Sequence, residues 1–180
     1  MSPIFLIGYM GSGKTTLGRL LATERKIEFI DLDIFIESRY HTSICALFKD
    51  KGEKAFREIE KSVLHEVGEF QDVIIACGGG TPCNFDNMEY MNRHGITVFL
   101  SVDAECIFHR LTHPLAKAKR PLVAQKSDNE LMDFITTTIK EREPAYSKAL
   151  LIFDATLIDT PEEAAQSAER LNSLLTKYAS

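Results

Sequence analysis

The chain has no tryptophan, no excess of basic residues and no apolar run long enough to cross a bilayer. A membrane span needs about 20 consecutive apolar residues, and the N-terminal MSPIFLIGYMGSGK offers five, Pro3 to Ile7, with no charged leader. It reads as neither signal peptide nor membrane anchor. With 26 acidic against 21 basic residues and a net charge of −5, the chain does not suit general nucleic-acid binding, so any phosphate site must be local. The four cysteines, at 45, 77, 83 and 106, lack the paired two-residue spacing of a zinc site. With no secretory signature, reduced and mostly buried thiols in a cytoplasmic protein are expected. Repeats and low-complexity tracts are absent. The 180 residues, 44% of them hydrophobic, fit one domain with a substantial core.

What is present is an alternation. Short apolar runs (PIFLIG, EFIDLD, DVIIAC, ITVFLSV) are separated by helix-length amphipathic segments: Lys14 to Arg25, a stretch ending near Glu69, Asn84 to Arg93, and one beginning near Ala104. This pattern predicts a doubly wound α/β domain over 1–180, with a parallel sheet covered on both faces. THPLAKAKRPLVAQKSD has no periodicity and is expected to form a surface lid over about 112–127. Beyond it the pattern predicts a long helix near Asn129 to Lys148, a strand LLIFDAT and a last helix. Thr160, Pro161 and Glu163 mark that helix's start, and Ala164, Ala168, Leu171, Leu174 and Leu175 form its apolar stripe.

GYMGSGKT, Gly8 to Thr15, fits G-x-x-x-x-G-K-[ST] and lies between a predicted strand and a predicted helix. Glycines let backbone N–H groups curl around phosphate oxygens, Lys14 adds a positive charge over the β- and γ-phosphates, and Thr15 offers magnesium a hydroxyl. A purely structural turn would explain the glycines but not Lys14.

Four further stretches specify an acceptor. In FIDLDIFIE, Phe29 to Glu37, an extended reading puts Asp31 and Asp33 on one face at the carboxyl end of the second strand, where open α/β sheets bind ligands. One acid suits magnesium through water and the other a substrate hydroxyl, the alternative being that one of them, Asp33 first, is only the N-cap of the helix IFIESRY. GEKAFREIE, Gly52 to Glu60, reads as a helix with Phe56 and Ile59 inward and Arg57 three residues from Glu60: a surface ion pair, or a fork for a carboxylate. CGGGTP places three glycines where a ligand could approach backbone. Lys117, Lys119 and Arg120 lie on the expected lid and Arg142 near the end of the long helix. Of the lid cations, Arg120 best suits charge on a transferring phosphate.

In order and spacing, GYMGSGKTTLGRLLA, FIDLDIFIE, GEKAFREIE, CGGGTP, RPLV and EREPAY closely resemble the shikimate kinase family over nearly the whole chain. The resemblance implies a three-layer P-loop NTPase fold with a five-stranded parallel sheet, an acceptor-binding helical region over about 33–61 and a lid. It implies γ-phosphoryl transfer from ATP to the 3-hydroxyl of shikimate, in aromatic amino-acid biosynthesis. Lys14, Asp33 and Arg120 would carry the chemistry. Gly11, Ser12, Gly13, Lys14, Thr15, Thr16, Arg110 and Arg120 would hold the nucleotide, with Arg110 beside the adenine. Asp33, Arg57, Gly79 and Arg142 would hold the acceptor, the two arginines clamping its carboxylate; Thr15 and Asp31 would serve Mg2+. The expected partners are ATP and shikimate, with neither nucleic acid nor membrane, for a cytoplasmic monomer. A related kinase acting on gluconate or a nucleoside monophosphate is the alternative. A GTPase switch is disfavoured, because no N-K-x-D motif occurs.

Overall fold

The computed structural model describes residues 1–113 and 125–179. Five strands, β1 (Ile4–Ile7), β2 (Glu28–Asp31), β3 (Val73–Ala76), β4 (Ile96–Ser101) and β5 (Leu151–Asp154), form one sheet in the order β2-β3-β1-β4-β5. Every pairing is parallel. The described helices are α1 (Lys14–Arg25), α2 (Leu32–Tyr40), α3 (Ile44–Gly68), α4 (Asn87–His94), α5 (Ala104–Thr112), α6 (Asp128–Tyr146) and α7 (Pro161–Ala179).

The central strands read as unbroken apolar runs because both faces of the sheet are covered. Strand alternation then sorts their side chains between two cores. Ile4, Leu6 and Ile74 pack with Leu17 and Leu21 of α1 and Leu171 and Leu175 of α7. Phe5, Ile7 and Ile75 pack with Ile36 of α2, Val63 and Leu64 of α3 and Met91 of α4. A third cluster joins Tyr9 to Ile107 and Leu111 of α5 and Leu131 and Ile135 of α6, tying the loop after β1 to the helices flanking residues 114–124.

Helix ends follow capping chemistry. Asp103 accepts from Cys106 N at 2.7 Å, and Ser127 with Glu130 forms a capping box on α6. At α7, Thr160 Oγ1 accepts from Glu163 N at 3.2 Å while Glu163 Oε2 accepts from Thr160 N at 3.1 Å. Inside α3, Gly52 leaves helical geometry at φ 78°, which kinks the helix just before Arg57's turn.

Several expectations are corrected. The second strand ends at Asp31 and α2 begins at Leu32, so the two acids do not share a strand face. The helix expected near Asn84 to Arg93 is α4, which starts three residues later, at Asn87; a 3-10 turn, Thr81–Cys83, precedes it, and the positive φ of Phe85 (51°) lies between the two. All four cysteines are free, but Cys77 alone is buried: Cys45 and Cys83 are exposed and Cys106 is intermediate. Lys117, Lys119, Arg120 and most of the expected lid lie outside the described residues. Among the described residues no helix is long and apolar enough to cross a membrane.

Candidate active site

The loop from Gly8 to Gly13 leaves β1 and delivers the chain to the N-terminus of α1, where Gly13 caps the helix in the left-handed region, φ 93°. The left-handed conformation itself calls for glycine, and a β-carbon there would also press on the end of the Ile158 side chain. Lys14 Nζ curls back over the loop and donates to the carbonyls of Gly8 and Tyr9, each at 2.8 Å. The ammonium is thereby held above the turn whose N–H groups and helix end make an anion site. Ser12 is buried, and Gly11, Gly13, Thr15 and Thr16 line a cavity of about 490 Å³ over the carboxyl ends of the strands. Its far wall holds Arg110 and Asp159. Arg110 is anchored there: Nε donates to Asp159 at 2.7 Å, Nη1 to Gly11 O at 3.1 Å and Nη2 to Thr156 O at 2.7 Å.

Asp31 and Asp33 reach this cavity by a different route from that expected. Asp31 is the N-cap of α2, Oδ1 accepting from Ile34 N at 3.4 Å, while Oδ2 accepts from Thr15 Oγ1 at 3.0 Å. The cap therefore falls on Asp31 rather than Asp33, and Asp31 is more than a cap, because its second oxygen stays on the loop hydroxyl. Asp33 stands one residue into the helix and turns into the site. Burial first, then the neighbouring Asp31 and Glu60, push its carboxyl up to about 6, against the pull of Lys14.

The side expected to take the acceptor is built on Gly78, Gly79 and Gly80, which follow β3. A β-carbon on Gly78 would lie 2.9 Å from Asp33 Oδ1, one on Gly79 3.0 Å from Arg142 Nη1, and one on Gly80 2.6 Å from Arg57 Nη2. Three successive backbone positions thus face the three side chains expected to hold the acceptor. Arg57 Nη1 donates to Glu60 at 2.8 Å, and its guanidinium lies 5.5 Å and 5.3 Å from the ring centroids of Phe48 and Phe56. The Arg57–Glu60 pair is not the surface contact that helix spacing allows: Glu60 is 1% exposed and Arg57 14%. Glu60 also accepts from Thr81 Oγ1 at 2.6 Å. Arg142 lies 5.7 Å from the ring centroid of Tyr9.

Glu60, Thr81 and Tyr146 have structural parts in this site that sequence reasoning did not assign. The signal for Glu60 is its pairing with Arg57; Thr81 and Tyr146 lie inside CGGGTP and EREPAY, but their partners are 21 and 67 residues away. No group of three or more metal-ligating side chains occurs among the described residues. Thr15 Oγ1 and Asp31 Oδ2 are nevertheless two hard oxygens 3.0 Å apart beside the anion site. That set fits Mg2+, which takes few protein oxygens and completes its shell with phosphate and water.

The family model described as shikimate kinase matches residues 10–172. A shikimate kinase from Phocaeicola vulgatus is 52% identical over 177 residues, 98% of this chain and 100% of that one. The solved shikimate kinase from Bacteroides thetaiotaomicron superposes with a TM-score of 0.94 at 48% identity, covering 97% of this chain and 98% of that one. A shikimate kinase from Acinetobacter baumannii, solved in complex with shikimate, gives 0.85 at 30% identity, covering 99% and 94%. A gluconokinase from Sinorhizobium meliloti, at 15% identity and a TM-score of 0.56, shares the fold alone. The chain belongs to the shikimate kinase family.

Proposed function

We propose that this protein transfers the γ-phosphoryl group of ATP to the 3-hydroxyl of shikimate, releasing ADP and shikimate 3-phosphate. The observation that carries the reading is the glycine run: one carboxylate and two guanidinium groups converge on three adjacent peptide units, beside a phosphate-binding loop. Two arginines suit one carboxylate, an aspartate suits a hydroxyl, and exposed backbone suits the remaining hydroxyls.

Phosphoryl transfer asks the protein for position and electrostatics more than for covalent chemistry. The loop amides, the end of α1 and Lys14 hold the phosphates and receive the charge that develops on them. Arg57 and Arg142 fix the acceptor by its carboxylate. Asp33 hydrogen-bonds the reacting hydroxyl. As the acceptor oxygen bonds to phosphorus and the bridging bond to ADP breaks, Asp33 takes the hydroxyl proton and later returns it to water. Mg2+, held by Thr15 and through water by Asp31, would neutralise charge on the β- and γ-phosphates when bound. Arg110 with Asp159 forms the wall for the adenine, and Arg120 belongs to the lid in this reading. The whole chain, 1–180, acts as one catalytic domain, with the region 33–61 holding the acceptor.

The test is ADP release from Mg-ATP by the purified protein over an acceptor panel. Shikimate should give the highest kcat/KM. An equal or higher value with gluconate or a nucleoside monophosphate would overturn the substrate assignment, and full activity after chelation of Mg2+ would overturn the metal's role.

A further inference from the structure

Tyr146 ends α6, one helical turn beyond Arg142, and is 1% exposed. Its hydroxyl donates to the carbonyl of Gly79 at 2.6 Å, and its ring stacks on Phe99 of β4 with centroids 5.0 Å apart. Gly79 is the peptide unit that faces Arg142 Nη1. The phenol oxygen also accepts from the Arg142 guanidinium, and burial pushes the phenol up to about 12, so its O–H stays protonated for Gly79 near neutral pH. A backbone carbonyl in the acceptor wall, a cation of the acceptor clamp and the end of α6 are therefore joined by one side chain that does not itself line the cavity.

We propose that Tyr146 is a positioning residue for the acceptor: its hydroxyl holds the Gly79 peptide and Arg142 in register, so that carboxylate clamp and backbone wall bind as one preformed surface. The role deepens the reading above and rests on Arg142 and Gly79 contacting the acceptor. A ring needed only for packing would keep its function without the hydroxyl, since Phe99 and the surrounding core contact carbon atoms.

The discriminating variant is Tyr146→Phe. Loss of one positioning hydrogen bond should raise the acceptor KM about five- to tenfold, while the KM for ATP stays within about twofold. The split is read on whichever panel acceptor the unmodified enzyme uses best, so failure of the shikimate assignment and failure of this inference are separate results. A second readout avoids turnover: the rise in melting temperature produced by saturating acceptor should shrink in the variant, and that produced by Mg-ATP should not. Should the variant lower thermal stability but leave both KM values unchanged, or raise both together, the hydroxyl is structural and the proposal falls.

Discussion

Replacing Asp33 with asparagine should make the protein more stable and nearly inactive. The carboxyl's ordinary value is 3.8 and the folded site raises it to about 6, chiefly by burial and then by Asp31 and Glu60. A difference of about two pH units corresponds to about 3 kcal/mol. Residual solvent contact reduces this to about 2 kcal/mol of strain carried by the ionised site. The sign follows from proton binding. Between 3.8 and about 6 the folded chain holds a proton that the unfolded chain has released. Wild-type stability therefore falls as pH rises through this window and levels off above it. The amide of the Asp33→Asn variant does not titrate and contributes no such slope. Urea unfolding of both proteins should show little gap near pH 4 and a gain of about 2 kcal/mol for Asp33→Asn at pH 7.5, or about 4–8 °C in melting temperature for a domain of this size. Turnover in the variant should fall by at least about a hundredfold. A variant less stable than wild type at pH 7.5, or a gap that does not change with pH, would refute the reasoning.

The glycine wall and the buried ion pair give two further tests. Gly80→Ala places a β-carbon 2.6 Å from Arg57 Nη2; the guanidinium must shift, and acceptor kcat/KM should drop about a hundredfold with the ATP KM spared, which steady-state kinetics with each substrate varied in turn would check. Glu60→Gln removes the buried charge that pairs with Arg57. Because Arg57 keeps Glu53 at 3.5 Å, the cost should be about 2–3 kcal/mol in urea unfolding rather than the larger loss of a fully orphaned charge. A change below about 0.5 kcal/mol would show that the pair contributes nothing.

Much of this is legible in the sequence, for identifiable reasons. The loop motif sits between a run and a helix whose periods differ, so strand, turn and helix are specified together. Likewise the start of α7 is written in Thr160, Pro161 and Glu163. An extended reading of FIDLDIFIE fails because isoleucine and phenylalanine suit strands and buried helices alike. What decides is Asp31, whose short carboxylate takes a free N–H in the first turn of the helix, that of Ile34. The depth of the Arg57–Glu60 pair is hidden for another reason. Spacing of three residues looks the same on a surface as in a core, and Glu60's other partner, Thr81, is brought in by the turn after β3, 21 residues away. Tyr146 lies within a recognisable motif, yet its partner is a backbone carbonyl that carries no residue identity. Arg120 lies outside the described residues, so its placement rests on the motif RPLV.

The glycine run also bears on inhibitors. Where a binding wall is made of side chains, resistance arises by exchanging them. At Gly78, Gly79 and Gly80 the smallest possible exchange adds a β-carbon that crowds the side-chain end of Asp33, Arg142 or Arg57 and makes it give way. In the proposed reading, a compound that takes its contacts from these peptide units would rest on a surface whose reshaping also displaces the side chains assigned to the acceptor.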